Sequence, residues 1–120
     1  MLRPIDPNRC PVDQALEIVG GKWKPIILWR LLGAGTLRFG ELQRAIPGVT
    51  QRVLTLHLRE LERDGLVARK VYAEVPPKVE YTLTAPAQGL MDTMQSMGNW
   101  FLQSHQQLRA TPPAADDALD

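Results

Sequence analysis

The 120-residue sequence predicts a mainly α fold with a small β-hairpin (α+β), and three observations predict it. Apolar residues recur at helical spacing in five segments, whereas period-two alternation is confined to the stretch after Leu66. Pro47-Gly48 sets a sharp turn between two of the helical segments, which is the layout of a helix-turn-helix.

Residues 1–9 hold two prolines and no periodicity, so they read as an extended N-terminal arm. Pro11 at a first-turn position, followed by Val12, Leu16, Ile18 and Val19, predicts a short helix that Gly20-Gly21 terminates. Pro25 opens a second helix. Its apolar residues Ile26, Ile27, Trp29, Leu31 and Leu32 lie nearly all round, as expected of a buried central helix, and Gly33 and Gly35 end it. Thr36, Leu37 and Arg38 are read as extended. FGELQRAI (39–46) makes a third helix with Phe39, Leu42 and Ile46 inward.

The fourth helix, TQRVLTLHLRELERDGL (50–66), is the centre of the chain. Thr50 is a capping hydroxyl, and Asp64-Gly65 is a stop in which glycine takes the left-handed conformation. Leu54, Leu58 and Leu61 recur at i, i+4 and i+7 and form one narrow apolar stripe. Arg52, Thr55, Leu56, Arg59 and Arg63 fall on the other side. Such a helix suits a DNA groove, but it also suits a solvated face on which Arg59, Glu60, Glu62 and Arg63 pair with one another.

VARKVYAEV (67–75) and PPKVEYTLT (76–84) alternate and predict two strands with a stiff proline tip. An isolated hairpin is marginal in water, so it must pack on the helices as a wing. From Ala85 to Arg109 a helical pattern returns, about 35 Å long at 1.5 Å per residue. One small domain offers little to cover such a length, and a second subunit is the natural cover. Residues 110–120 are small, proline-containing and acidic and read as a disordered tail. The expected organisation is thus an arm over 1–9, a winged helix-turn-helix domain over 10–109 with a dimerisation helix at about 86–108, and the tail.

The composition, 44% hydrophobic and 22% charged, is that of a single globular domain. The net charge of +1 hides a division along the chain: Lys22 to Lys70 carries ten basic and four acidic residues, a net +6, which leaves −5 for the rest. A basic middle between acidic ends is a localised field that attracts a polyanion. The lone Cys10 excludes an intrachain disulfide and any multi-cysteine metal site. His57 and His105 sit on different helices, so no metal site and no cofactor is expected. No glycine-rich phosphate loop, nucleophile elbow or carboxylate pair stands out, and catalysis is not expected. The N-terminus has no apolar signal region and the longest apolar run is far too short for a bilayer; the expectation is a soluble, cytoplasmic protein with no membrane partner.

CPVDQALEIVGGKWKPIILWRLL (10–32), RFGELQRAIPGVTQRVLTLHLRELERDGLVAR (38–69) and YAEVPPKVEYTLT (72–84) closely resemble the HxlR-type winged helix-turn-helix transcriptional regulators of bacteria, which are related to the MarR-type regulators. The resemblance covers about two-thirds of the chain. It implies a cytoplasmic DNA-binding homodimer in which the first and last helices pack between subunits, with Leu16, Met94, Met97, Trp100 and Phe101 at the interface. The partner it implies is double-stranded operator DNA with an inverted repeat, and repression is the expected mode. The methionines at 91, 94 and 97 read as core or dimer seam, or alternatively as an adaptable ligand pocket. A protein-pairing module is the alternative of a different class. Two departures are visible: the helix-starting proline after the wing is displaced within Thr84-Ala85-Pro86, and Lys78 stands where the family often has arginine.

In a helix-turn-helix the first residues of the second helix reach base edges and later ones touch phosphate. Gln51, Arg52, Thr55 and Leu56 are therefore assigned to the groove floor and Arg59 to phosphate. Lys24, Thr36 and Arg38 are candidate phosphate contacts, and Lys78 is a wing-tip contact. Cys10 precedes the first helix, where the helix dipole and the neighbouring Arg9 favour a thiolate. In several members of the resembling family a cysteine in this place senses oxidants, quinones or aldehydes, which makes a small electrophile a candidate effector. The alternative for Cys10 is an unreactive cap or a buried small side chain.

Overall fold

The computed structural model describes residues 3–112, so most of the acidic tail lies outside it. Five helices and three strands follow one another: α1 (Pro11–Val19), α2 (Lys24–Ala34), β1 (Thr36–Arg38), α3 (Phe39–Ala45), α4 (Gln51–Arg63), β2 (Val67–Tyr72), β3 (Lys78–Leu83) and α5 (Ala85–Ala110). This is the expected winged helix, with one addition. The two-stranded wing β2-β3 is present, and β1 pairs antiparallel with β3 to extend it to a three-stranded sheet of order β1-β3-β2. Among the described residues no helix is long and apolar enough to cross a membrane.

The leucine stripe of α4 docks the helix on the core. Leu54, Leu58 and Leu61 are buried with Ile27, Leu28 and Leu31 of α2, Leu42 of α3, Val67 of β2 and Met91 of α5. Each fully buried leucine contributes about 1.5–3 kcal/mol of transfer free energy, enough to offset a sequence with two acids and three arginines on the same helix. The expectation that α2 is buried all round is corrected. Ile27, Leu28 and Leu31 face inward, but Ile26 and Trp29 are exposed on the other side.

Both ends of α4 are set by local chemistry. The Thr50 hydroxyl accepts a hydrogen bond from Val53 N at 3.1 Å, the N-cap arrangement. At the other end Gly65 adopts φ +84°, Gly65 N bonds Glu62 O at 3.1 Å, and Leu66 N bonds Leu61 O at 2.9 Å. These two bonds are a Schellman closure and use carbonyls the helix leaves free. Thr50→Ala should lower stability by about 1 kcal/mol; an unchanged melting midpoint would show that the cap contributes nothing.

The displaced proline after the wing is absorbed without cost. Thr84 caps α5, accepting from Ala87 N, so Pro86 lies in the first turn, where a missing N–H is harmless. The same Thr84 hydroxyl donates to Gly65 O at 2.6 Å, which ties the start of α5 to the end of α4.

The N-terminal arm is not extended. It turns at Asp6 to Arg9 and is fastened to α1: Gln14 accepts from Asp6 N and donates to Asp6 O and Arg9 O, all within 3.0 Å. Arg9 lies 2.6 Å from Asp13 and 2.8 Å from Glu17, which raises its own pKa and lowers that of Glu17.

Candidate nucleic-acid interface

The outward face of α4 is one open surface formed by Gln51, Arg52, Thr55, Leu56 and Arg59. Gly48, at φ +86°, turns the chain between α3 and α4. Gln51 and Arg52 then occupy the first turn of α4. Leu56, half exposed at 52%, is the apolar member of the face. The Thr55 hydroxyl donates back to Gln51 O at 2.8 Å, so it is the methyl and the oxygen lone pairs of this side chain that remain for a ligand.

The alternative of a self-paired, solvated helix is answered by where the acids go. Glu60 pairs with Lys24, Glu62 with Arg69 of β2, and Asp64 with Arg63. Among the described residues, Arg52 and Arg59 form no ion pair. The carboxylates of α4 and its cap are drawn to the flanks, and two guanidinium groups stand uncompensated on the exposed face.

The sheet sorts its side chains by parity. Directly paired residues share a face, so Thr36, Arg38, Lys70, Tyr72, Lys78 and Glu80 lie on one side and Leu37, Val79, Tyr81 and Leu83 on the other. Thr36 and Arg38 are exposed, as a phosphate contact requires. Arg38 N donates to the Glu41 carboxylate at 2.8 Å, which closes the start of α3. Lys78 lies 4.3 Å and Lys70 4.9 Å from the centre of the Tyr72 ring, and the Tyr72 hydroxyl donates to Glu80 at 2.9 Å. Lys70 is a basic residue of this face that the sequence reading did not single out. Only the strand register reveals it. Against the other face, a cleft between α4 and the sheet is lined by Thr55, Arg59, Glu62, Arg69 and Tyr81, and burial raises the pKa of the Tyr81 hydroxyl.

Lys24 is corrected. It is only 8% exposed, and its Nζ lies 2.7 Å from Glu60 Oε1, so it is a buried ion-pair partner rather than a surface cation for phosphate. The hydrogen bond from Lys24 holds the Glu60 carboxyl below its ordinary value.

Cys10 stands at the N-cap of α1, exposed, and its sulfur makes no capping hydrogen bond. Its exposure excludes the buried side chain of the alternative reading; as the N-cap residue it serves through its backbone carbonyl, which accepts from Gln14 N at 3.1 Å, and not through its sulfur. The Arg9 guanidinium, expected to add positive charge beside Cys10, is instead taken up by Asp13 and Glu17. The residues expected at a dimer interface divide. Leu16, Met97, Trp100 and Phe101 are exposed, whereas Met94 packs partly against the protein's own core.

Comparison with known proteins agrees with this geometry. The family model described as HxlR-like helix-turn-helix matches residues 18–109. A relative in Bacillus subtilis (strain 168), the uncharacterized HTH-type transcriptional regulator YdeP, is 52% identical over 91 residues, which are 76% of this chain and 70% of YdeP. The redox regulator HypR in its reduced form superposes with a TM-score of 0.78 at 44% identity, covering 85% of this chain and all of HypR. The reduced form of the transcriptional regulator YodB from B. subtilis superposes at 0.71 with 36% identity, covering 79% of this chain and 93% of YodB. With its fold, its basic helix and a family match over more than half its length in accord, the chain belongs to the HxlR-like helix-turn-helix family and is a transcriptional regulator built on that domain.

Proposed function

We propose that this regulator binds an inverted-repeat operator as a homodimer and acts as a repressor, without catalytic activity of its own. The observation that carries the reading is the exposed face of α4, where Arg52 and Arg59 form no ion pair among the described residues while the acids of the helix are engaged at its flanks. Arg52 pairs with guanine, Gln51 with adenine, and Leu56 meets a thymine methyl; Arg59, Arg38, Thr36 and Lys78 hold phosphate. Two-fold symmetry then sets half-sites about one DNA turn apart, roughly 34–36 Å. Repression is the mode expected of a small protein that acts by occupying a promoter.

The subunit contact runs through α1 and α5. Val12 and Leu16 on α1, and Met97, Trp100, Phe101 and Leu102 on α5, are large apolar side chains exposed on the isolated chain. Exposure on this scale along a 26-residue helix is the mark of a surface that meets another protein.

A good base contact is worth about 1–3 kcal/mol, so Arg52→Ala should weaken specific binding about tenfold or more at fixed salt. Equal binding by wild type and variant in a fluorescence-anisotropy titration would remove Arg52 from the site.

A second reading concerns the signal. Cys10 is exposed with its sulfur uncommitted, and two structural neighbours are HypR, a redox regulator, and YodB, whose diamide-treated form also superposes at 0.68. Oxidants, quinones or aldehydes acting on Cys10 would alter DNA binding, through an intersubunit disulfide or an adduct. Diamide or a quinone is expected to change operator binding by the wild type and leave Cys10→Ser unaffected. The same response in both proteins would exclude Cys10 as the sensor.

A further inference from the structure

Lys24 is a charged residue only 8% exposed, and it lies at a joint. It is the first residue of α2, whose following residues Ile27, Leu28 and Leu31 are wholly buried. Its ammonium crosses to α4 and meets Glu60 Oε1 at 2.7 Å. His57, one turn earlier on α4, sets Nδ1 3.6 Å from the same oxygen, and that nitrogen is buried without another partner. The Glu60 carboxylate is thus bracketed by a cation from α2 and an imidazole from its own helix.

The leucine stripe does not by itself fix how α4 is turned. At 100° per residue Leu54, Leu58 and Leu61 lie within about 60° of one another, so they hold the helix along a single line and permit it to roll. Glu60 stands about 120° round from Leu54, on a flank, and a short directional bond there resists rolling. A roll of about 15° would carry a side-chain tip about 6 Å from the axis through roughly 1.5 Å. That displacement is enough to break a hydrogen bond of ordinary length to a base edge. Apolar contacts tolerate such a slip far better than an ion pair does.

We propose that Lys24 and Glu60 are positioning residues for DNA recognition: their buried ion pair fixes the roll of α4 about its axis and so aims Gln51, Arg52 and Leu56 at the bases. The proposal rests on the DNA-binding reading above. Well-packed apolar residues of similar volume commonly replace a buried ion pair without loss of stability.

That property supplies the test. The probe is the duplex that the full-length wild-type protein selects from a randomised pool, set beside a scrambled duplex of equal length, each titrated at several salt concentrations. The double variant Lys24→Met with Glu60→Leu should melt within a few degrees of wild type. It should bind the selected duplex at least tenfold more weakly, bind the scrambled duplex within twofold of wild type, and keep the wild-type salt slope. Undiminished preference for the selected duplex in the double variant overturns the proposal. So does parallel weakening on both duplexes, which is the behaviour of a merely structural pair. A salt slope flattened by about 0.9 would return Lys24 to the phosphate contacts and equally overturn it. Should the double variant lose its cooperative melt, the isosteric Glu60→Gln carries the same readout. A wild-type protein that selects no duplex at all defeats the DNA-binding reading itself, and this is seen before any variant is made.

Discussion

Leu54→Ala is expected to lower the unfolding free energy by about 2–5 kcal/mol, because it removes a wholly buried side chain from the line along which α4 meets the core. A domain of this size has about 5–15 kcal/mol in all, so the variant sits near the edge of folding. Urea denaturation should show a lower midpoint with an unchanged slope. The effect on DNA is indirect: the outward face is intact, and at a temperature where the variant is folded its specific binding should approach wild type. A loss below about 1 kcal/mol would mean that α4 is not held by its leucines, and the whole placement of the interface would fall with it.

Replacing Trp100 and Phe101 together by alanine is expected to dissociate the proposed dimer. These rings are 54% and 48% exposed on the isolated chain, and buried aromatic anchors of an interface commonly cost about 2 kcal/mol or more each when truncated. The dimer dissociation constant should rise by about two orders of magnitude or more, visible by sedimentation equilibrium over a concentration series. Affinity for an inverted repeat should collapse toward that for a single half-site, since tethering of the second head is lost. Should the wild-type chain sediment as a monomer at micromolar concentration, α5 is not the dimer seam and another cover for its apolar face must be sought. Because neither ring belongs to the core cluster, folding of the separate subunit should survive.

What the sequence made legible is what depends on near neighbours. The leucine period, the Thr50 cap, the Asp64-Gly65 stop and the Pro47-Gly48 turn all act within a few residues, and each appears where the pattern places it. What escaped depends on how distant segments meet. Lys24 beside Pro25 has every local mark of an exposed residue at a helix start, and only the approach of α4 buries it against Glu60. Arg9 lies next to Cys10 in the chain, yet its guanidinium reaches toward Asp13 and Glu17. β1 is three residues long, too short to show a period, and its pairing with β3 is a tertiary event. Lys70 joins the polar sheet face through a register that alternation along a single strand does not specify. The outward face of α4 was readable as a face, whereas its lack of countercharge was not, because it depends on the partners Glu60 and Glu62 find on α2 and β2.

β1 bears on how such a protein is regulated. By pairing with β3 it stitches the entrance of α3 to the wing, while Thr84 fastens the base of the hairpin and the start of α5 to the end of α4. Wing and recognition helix are thereby parts of one lever, the wing held by strand pairing and α4 by the Thr84 bond at its end and the Lys24–Glu60 pair on its flank. In the proposed dimer a stimulus therefore works at the axle, where α1 and the far half of α5 meet the second chain. It changes the span between two levers and leaves the grip of each one as it was.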